Sequence, residues 1–265
     1  MYGRLMNESL KALIENKKAL FKALFIPILF LLGINLFFPN IMVIQDGKPV
    51  LDKNIQHIFG VIVVISFYIN IVIAVSVHRI ILIKDNIPLL RSILPSTTEL
   101  NFFLKILLFF ILTLLVAFLI SAFGMMLFML FVDRNIAMIL AAILAFIVVS
   151  LLASRFSMVF PAIAINEKMG FSEALNMTKN YKFLSLFMVV IFPIIISVLI
   201  AFVYGLIIKF LSGVVSPHFE LLYVFLNVFI TVLTISCLSV TYSYIKEEND
   251  KKSLEQELVN KEEEN

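Results

Sequence analysis

Residues 183–208 read FLSLFMVVIFPIIISVLIAFVYGLII. They contain no Asp, Glu, Lys, Arg or His. A helix that crosses the hydrocarbon of a bilayer needs about 20 mostly apolar residues, and this stretch exceeds that. Its apolar residues run on without the alternation of a barrel strand, so the spanning element is a helix. Five further stretches share this character: 19–38, 58–77, 106–132, 136–154 and 219–245. The sequence predicts an all-α, polytopic integral membrane protein with six transmembrane helices over 1–245. Residues 246–265 form a charged tail.

Composition agrees. The chain is 62% hydrophobic and 15% charged, with a mean hydropathy of +1.06, against roughly 45–50% and about 25% in soluble domains. With 8 Gly, 8 Pro and 1 Cys, collagen, disorder and a disulfide scaffold are excluded. The single thiol, Cys237, forms no internal disulfide. Eighteen residues precede the first apolar stretch, and no small-residue cleavage site follows it before Pro39, so it reads as a retained helix.

Charge is distributed unevenly. Residues 1–245 hold 17 basic and 10 acidic groups, a balance of +7, whereas 246–265 hold four Lys and eight Asp or Glu, a balance of −4. A basic membrane body suits lipid headgroups rather than nucleic acid. The N-terminus, the loops 78–105 and 155–182, and the tail carry 17 of the 21 Lys and Arg, leaving only Lys48, Lys53, Arg134 and Lys209 on the other side. By the positive-inside rule both termini are cytoplasmic.

The loops carry local signals. Asp46-Gly47, between Met42-Val43-Ile44-Gln45 and Lys48-Pro49-Val50-Leu51, is a hairpin signal, with a plain turn as the alternative. Pro49 restricts its strand to an edge. Mixed apolar and charged segments precede the first, third and fifth spans around Ser9, Ser92 and Ala174, at intervals of 83 and 82 residues. They outline three units, each an interfacial helix followed by a helical hairpin. Ser172 is a candidate cap for the third of these helices. The segment 136–165 is too long for one upright span, so it tilts or breaks near Pro161. The tail extends the sixth helix, with opposite charges four apart at Glu247/Lys251, Glu248/Lys252 and Glu257/Lys261, each adding a few tenths of a kcal/mol.

Catalytic and metal chemistry finds little footing. His57, His78 and His218 lack ligand spacing, and no phosphate loop, dinucleotide loop, nucleophile elbow or HExxH motif occurs. Apart from Glu220 at the outer edge of the sixth, no Asp or Glu lies within the six runs, although ion-coupled carriers usually keep ionisable groups at membrane depth. No catalytic residue, cofactor or metal site is therefore expected. Ala137, Ala141 and Ala145 recur every four residues, as close helix packing requires. Asn227, Thr231, Thr234 and Thr241 share one face of the sixth span, and Asn70 sits in the middle of the second. Together they are a candidate buried polar stripe, serving interhelical hydrogen bonds or a polar path. Ser236, Ser239 and Ser243 populate the opposite face of the sixth span. Arg79, Lys105, Arg155 and Lys182 stand at one rim of the bundle. They are candidate contacts for an anionic lipid or a phosphate, or they only obey the positive-inside rule. Arg155 must find water, a carbonyl or an anion.

Arg155-Phe156-Ser157-Met158-Val159-Phe160-Pro161-Ala162-Ile163-Ala164-Ile165 runs into Glu173-Ala174-Leu175, Thr178-Lys179-Asn180 and Phe183, and the last span ends Thr241-Tyr242-Ser243-Tyr244. This order resembles the membrane domain of membrane-bound glycerophosphoryl diester phosphodiesterases and its stand-alone six-helix bacterial and archaeal relatives of unknown function. The resemblance covers mainly 150–245. It implies an architecture and a place in a prokaryotic plasma membrane. It carries over no activity, because phosphodiesterase chemistry belongs to a separate soluble domain. The expected role is a non-catalytic membrane protein for envelope or lipid organisation, or a subunit beside membrane lipids, other membrane proteins or an ATPase. The alternative is a permease component for a small or lipidic solute. The charge bias carries a direct test: reporters fused at residue 46 and at the C-terminus should report opposite sides of the membrane, and a shared side would refute the topology.

Overall fold

The computed structural model describes residues 1–38, 42–45, 48–51, 56–88 and 96–263. Among them, six helical segments are long and apolar enough to cross a membrane: Lys17–Phe37, Phe59–Ile83, Thr97–Phe128, Arg134–Ala164, Lys182–Val214 and Pro217–Gln256. An even number of crossings brings both termini to one face of the bundle. Helix α1 (Tyr2–Glu15) lies on that face and leads through Asn16 into α2 (Lys17–Phe37). Beyond α2, strands β1 (Met42–Gln45) and β2 (Lys48–Leu51) pair antiparallel, with Val43 opposite Val50 and Ile44 opposite Pro49. The hairpin reading of this loop holds, although the Asp46-Gly47 turn lies outside the described residues.

The second span is α3 (Phe59–Ile83). The segment around Ser92 that would open the second unit lies outside the described residues. Helix α4 (Thr97–Phe128) starts nine residues ahead of the apolar run because its polar beginning is capped. Ser96 accepts the Thr98 N–H at 3.2 Å, and the Glu99 carboxylate accepts the Ser96 N–H at 2.9 Å and contacts the Ser96 hydroxyl. Such a box satisfies donors that a helix start leaves open.

Helix α5 (Arg134–Phe156) returns against α4 through small residues. Ala137, Ala141 and Ala145 are buried, and a Cβ placed on Gly124 would stand 3.3 Å from the Ala141 Cβ. The fourth crossing breaks at Ser157-Met158 and resumes as α6 (Val159–Ala164). Pro161 has no N–H to donate and its ring crowds the carbonyl four residues back, so the turn tightens and Phe160 donates to Ser157 O at 3.0 Å. Phe160 then packs on Phe102 and Phe109 of α4 at ring distances of 5.2 and 5.3 Å.

Asn166 closes α6. Its φ of 63° is left-handed, a conformation that Asn tolerates. Asn166 N–H reaches Ile163 O at 2.9 Å, and Glu167 N–H reaches Ala162 O at 2.8 Å, the paired bonds of a Schellman ending. Helix α7 (Phe171–Met177) follows. Its cap is Gly170, not Ser172: Glu173, three residues on, accepts the Gly170 N–H at 2.7 Å, and Ser172 already lies inside the helix.

The fifth crossing combines α8 (Lys182–Leu186), a π-helical turn at Phe187–Ile191 and α9 (Phe192–Val214). Pro193 sits just beyond the wide turn, where its missing N–H would otherwise leave a regular ladder broken. A 3₁₀ turn at Pro217–Leu221 leads into α10 (Leu222–Glu263). At 42 residues, α10 is about 63 Å long, so it crosses the bundle and continues into the tail. It is also the central helix, with Leu233, Ser236, Cys237, Ser239, Thr241, Tyr242 and Ile245 buried against its neighbours.

The α4–α5 contact is tight enough to test. Overpacking a close-packed site costs about 1–3 kcal/mol. Ala141→Leu should lower the thermal unfolding midpoint in detergent, whereas Ala142→Leu, one residue on and exposed, should leave it unchanged. Equal effects would show that the alanine repeat is not the seam.

Candidate functional site

The polar groups collect in three places. The first is the rim nearest the termini, where the two arginines serve helix ends. Arg155 leaves the last turn of α5 and donates from Nη2 to Leu175 O at 2.6 Å and from Nε to Thr178 Oγ1 at 3.0 Å. The buried Thr178 in turn donates to Ala174 O at 2.7 Å. Helix α7 is only seven residues long, so its last carbonyls need extra donors: Arg155 supplies one to Leu175 O and orients Thr178, whose hydroxyl supplies one to Ala174 O. Arg79 acts likewise on α6. Its Nε and Nη2 hold Asp85 at 2.9 and 2.8 Å, and its Nη1 donates to Ala164 O at 3.3 Å.

The other two rim cations stand apart from these clamps. Lys105 lies over the Phe171 ring at 5.6 Å, and Lys182 is exposed. Each guanidinium expected to meet an anionic lipid is therefore engaged by protein oxygens. Arg155 meets its need with a carbonyl, one of the three partners open to it.

The second group is on α10. The threonine stripe is not the buried one. Asn227 and Asn70 are exposed, Thr231 and Thr234 are half-buried, and only Thr241 is fully buried. The reason is local. Thr231, Thr234 and Thr241 donate to Asn227 O, Ile230 O and Cys237 O, each four residues back, and Asn70 donates to Ser66 O. Groups satisfied within their own helix need no neighbour.

The serine face carries the interhelical bonds instead. Ser236 donates to Ser9 O of α1 at 2.8 Å, and Ser239 lies 2.8 Å from Nδ1 of the buried His78 on α3. The Ser239 proton is already given to Ile235 O at 2.8 Å, so His78 Nδ1 carries a proton and donates to Ser239 Oγ. In the sequence His78 bears only on metal ligation, for which it lacks the spacing. Its spacing to Ser239, 161 residues away, left no signal.

The third group fixes the start of the tail. Tyr242, only 1% exposed, donates to Glu167 Oε2 at 2.6 Å, and Lys246 pairs with Glu167 Oε1 at 2.5 Å. Asn249 donates to Met177 O at 2.9 Å, and Lys252 to the Tyr181 hydroxyl at 3.0 Å. The expected Glu247/Lys251 and Glu248/Lys252 pairs give way to these contacts and to a Glu248–Lys251 pair at 3.2 Å, because Lys252 turns to Tyr181. Burial pushes the Glu167 carboxyl up, but the bonds from Lys246 and Tyr242 and the charge of Lys246 outweigh it, so it lies below its ordinary value of about 4.5. A depressed carboxyl stabilises the fold above its unfolded value, and that contribution is lost as pH falls through the lowered one.

One large cavity completes the inventory. Helices α2 and α9 each pack on α10, and between them runs an open cleft of about 830 Å³. Its walls are aliphatic and aromatic, among them Leu24, Ile28, Leu199, Val203 and Phe229, with Lys17 at one end. A smaller polar recess of about 200 Å³ lies between α1 and α10 beside Arg4, Glu8, Ser243 and Glu247. Among the described residues, no three His, Cys, Asp or Glu side chains gather as metal ligands would.

The chain matches no family model, no curated protein and no solved structure.

Magnitudes rank the contacts of Glu167. The Lys246 pair is about 40% exposed on each side chain and so is worth about 1 kcal/mol or less. The Tyr242 hydroxyl is buried, and stranding it costs about 1–3 kcal/mol. Glu167→Leu should therefore destabilise the protein clearly more than Lys246→Ala in detergent melts, with faster amide exchange over 243–252. Because Glu167→Leu removes both contacts and Lys246→Ala only one, equal effects would show that the ion pair is what holds the tail.

Proposed function

We propose that this chain is a non-catalytic, multi-pass membrane protein of the prokaryotic plasma membrane that binds and organises lipid, with both termini cytoplasmic. One observation carries the reading: the apolar cleft between α2 and α9 opens from the bundle's side at the depth of its spanning segments, where acyl chains are the surrounding solvent. Its volume of about 830 Å³ lies within the roughly 300–1,000 Å³ of sites that hold small ligands. Its walls offer almost nothing but hydrocarbon to an occupant. The polar groups at the centre of the bundle, His78, Ser236 and Ser239, are committed to helix–helix bonds, which supports a scaffold over a permease.

We also propose kinship with the stand-alone six-helix relatives of the glycerophosphodiesterase membrane domain, on the Arg155–Ile165 run and the Glu173-Ala174-Leu175 motif that follows it.

The cleft can be filled. Leu199→Trp with Val203→Trp places two indoles between α2 and α9 on exposed positions of α9. Native mass spectrometry of protein released from nanodiscs should show lipid retained by the unaltered chain and at least several-fold less by the filled variant. Equal retention, or none in either, would end the lipid-binding reading.

A further inference from the structure

We infer that the cleft seats one phospholipid of net negative headgroup, with its phosphate at Lys17 and an acyl chain running along α2 toward Ile28. This rests on the lipid-binding reading above and adds the headgroup and the residue that selects it.

Length gives the occupant. From Lys17 to Ile28 the cleft follows eleven residues of α2, about 16 Å at 1.5 Å per residue. It begins at the end of α2 that meets α1, on the face of the termini, and its other walls come from residues 199–204 of α9 and 225–232 of α10. A slot of about 16 Å takes an acyl chain and is shorter than the roughly 30 Å along which a spanning partner helix would pack.

Charge gives the headgroup. Lys17 is exposed at the mouth, and among the described residues no carboxylate lies within ion-pair distance of it. The nearest acid in sequence, Glu15, is held by Lys11 at 3.6 Å. Elsewhere on this rim Arg79 and Arg155 are bound to protein oxygens, whereas Lys17 keeps its ammonium for an outside partner directly above an apolar slot. A cation over a hydrocarbon trough is complementary to a phosphate that carries an acyl chain. Lys18 is equally exposed but does not line the cleft, so the two lysines separate a site from a general surface charge.

The test uses the full chain in nanodiscs of equal phosphatidylglycerol and phosphatidylcholine, with bound lipid read by native mass spectrometry. The unaltered chain should retain phosphatidylglycerol about five-fold over phosphatidylcholine, the worth of one lysine at an anionic surface. Lys17→Glu should abolish the preference while total bound lipid persists. Lys17→Arg and Lys18→Glu should preserve it. No preference in the unaltered chain, or equal loss in Lys18→Glu, would overturn the headgroup assignment and leave lipid binding itself standing. Benzoylphenylalanine in place of Val203 should crosslink to lipid. Crosslinking to a second copy of the chain, or to a partner protein, would overturn the assignment by giving the cleft another occupant.

Discussion

In hydrocarbon no water takes up a hydrogen bond that the backbone leaves open, and every other feature of this fold answers to that constraint. Three of its crossings carry a proline beyond their first residue, at Pro27, Pro161 and Pro193. Each removes a donor and crowds a carbonyl. Near Pro161 the chain stops the helix and restarts it, which creates two short helices, α6 and α7, close to the rim. Short helices have many open ends for their length. Arg79 and Arg155 point at those ends. Two cations that the positive-inside rule alone would explain therefore also act as helix caps. The left-handed Asn166 closes α6 and turns the chain so that Glu167 reaches Tyr242 and Lys246. The docking of the tail thus descends from the proline that broke the fourth crossing.

The same constraint explains which face of α10 turns inward. Lipid tails are as apolar as leucine, so helices in a membrane gain little by hiding apolar surface from them. Small polar side chains then decide the packing. A threonine satisfies its hydroxyl on the carbonyl four residues back and stands equally well toward lipid or protein. Serine makes the same bond, as Ser239 does to Ile235, yet is small enough to admit a neighbour: His78 closes on Ser239, and the backbone of α1 closes on Ser236. The seam between α4 and α5 works by size alone, through Gly124 and Ala141.

Much of this was legible in the sequence because it is local. Uninterrupted apolar runs mark all six crossings, Pro161 marks the break in the fourth, and the tail continues the sixth. The alanines of α5 mark a seam by their spacing. Helix starts were less legible. The run at 106 hid a helix beginning at Thr97, since capped first turns are polar and resemble loops. The choice between the threonine and serine faces was illegible in principle: both are polar at helical spacing, and what separates them is His78 and Ser9, far off in the chain. Arg155 advertised its need for a partner but not that Leu175 would meet it. The cleft left no mark at all, because it lies between α2 and α9, which begin 175 residues apart.

That such a cleft survives follows from the solvent. In water an apolar hollow of about 830 Å³ would collapse or recruit a partner, since exposed apolar area costs about 25 cal/mol per Å². In a bilayer its walls meet acyl chains whether or not the helices close, and the driving force for closure is absent. Helices α2 and α9 are each fixed on α10 by contacts on another side, and α10 is fixed by His78, Ser9 and Glu167. Nothing remains to draw α2 and α9 together. A gap held open on both flanks by packing elsewhere has a set shape, which a smooth helical surface lacks.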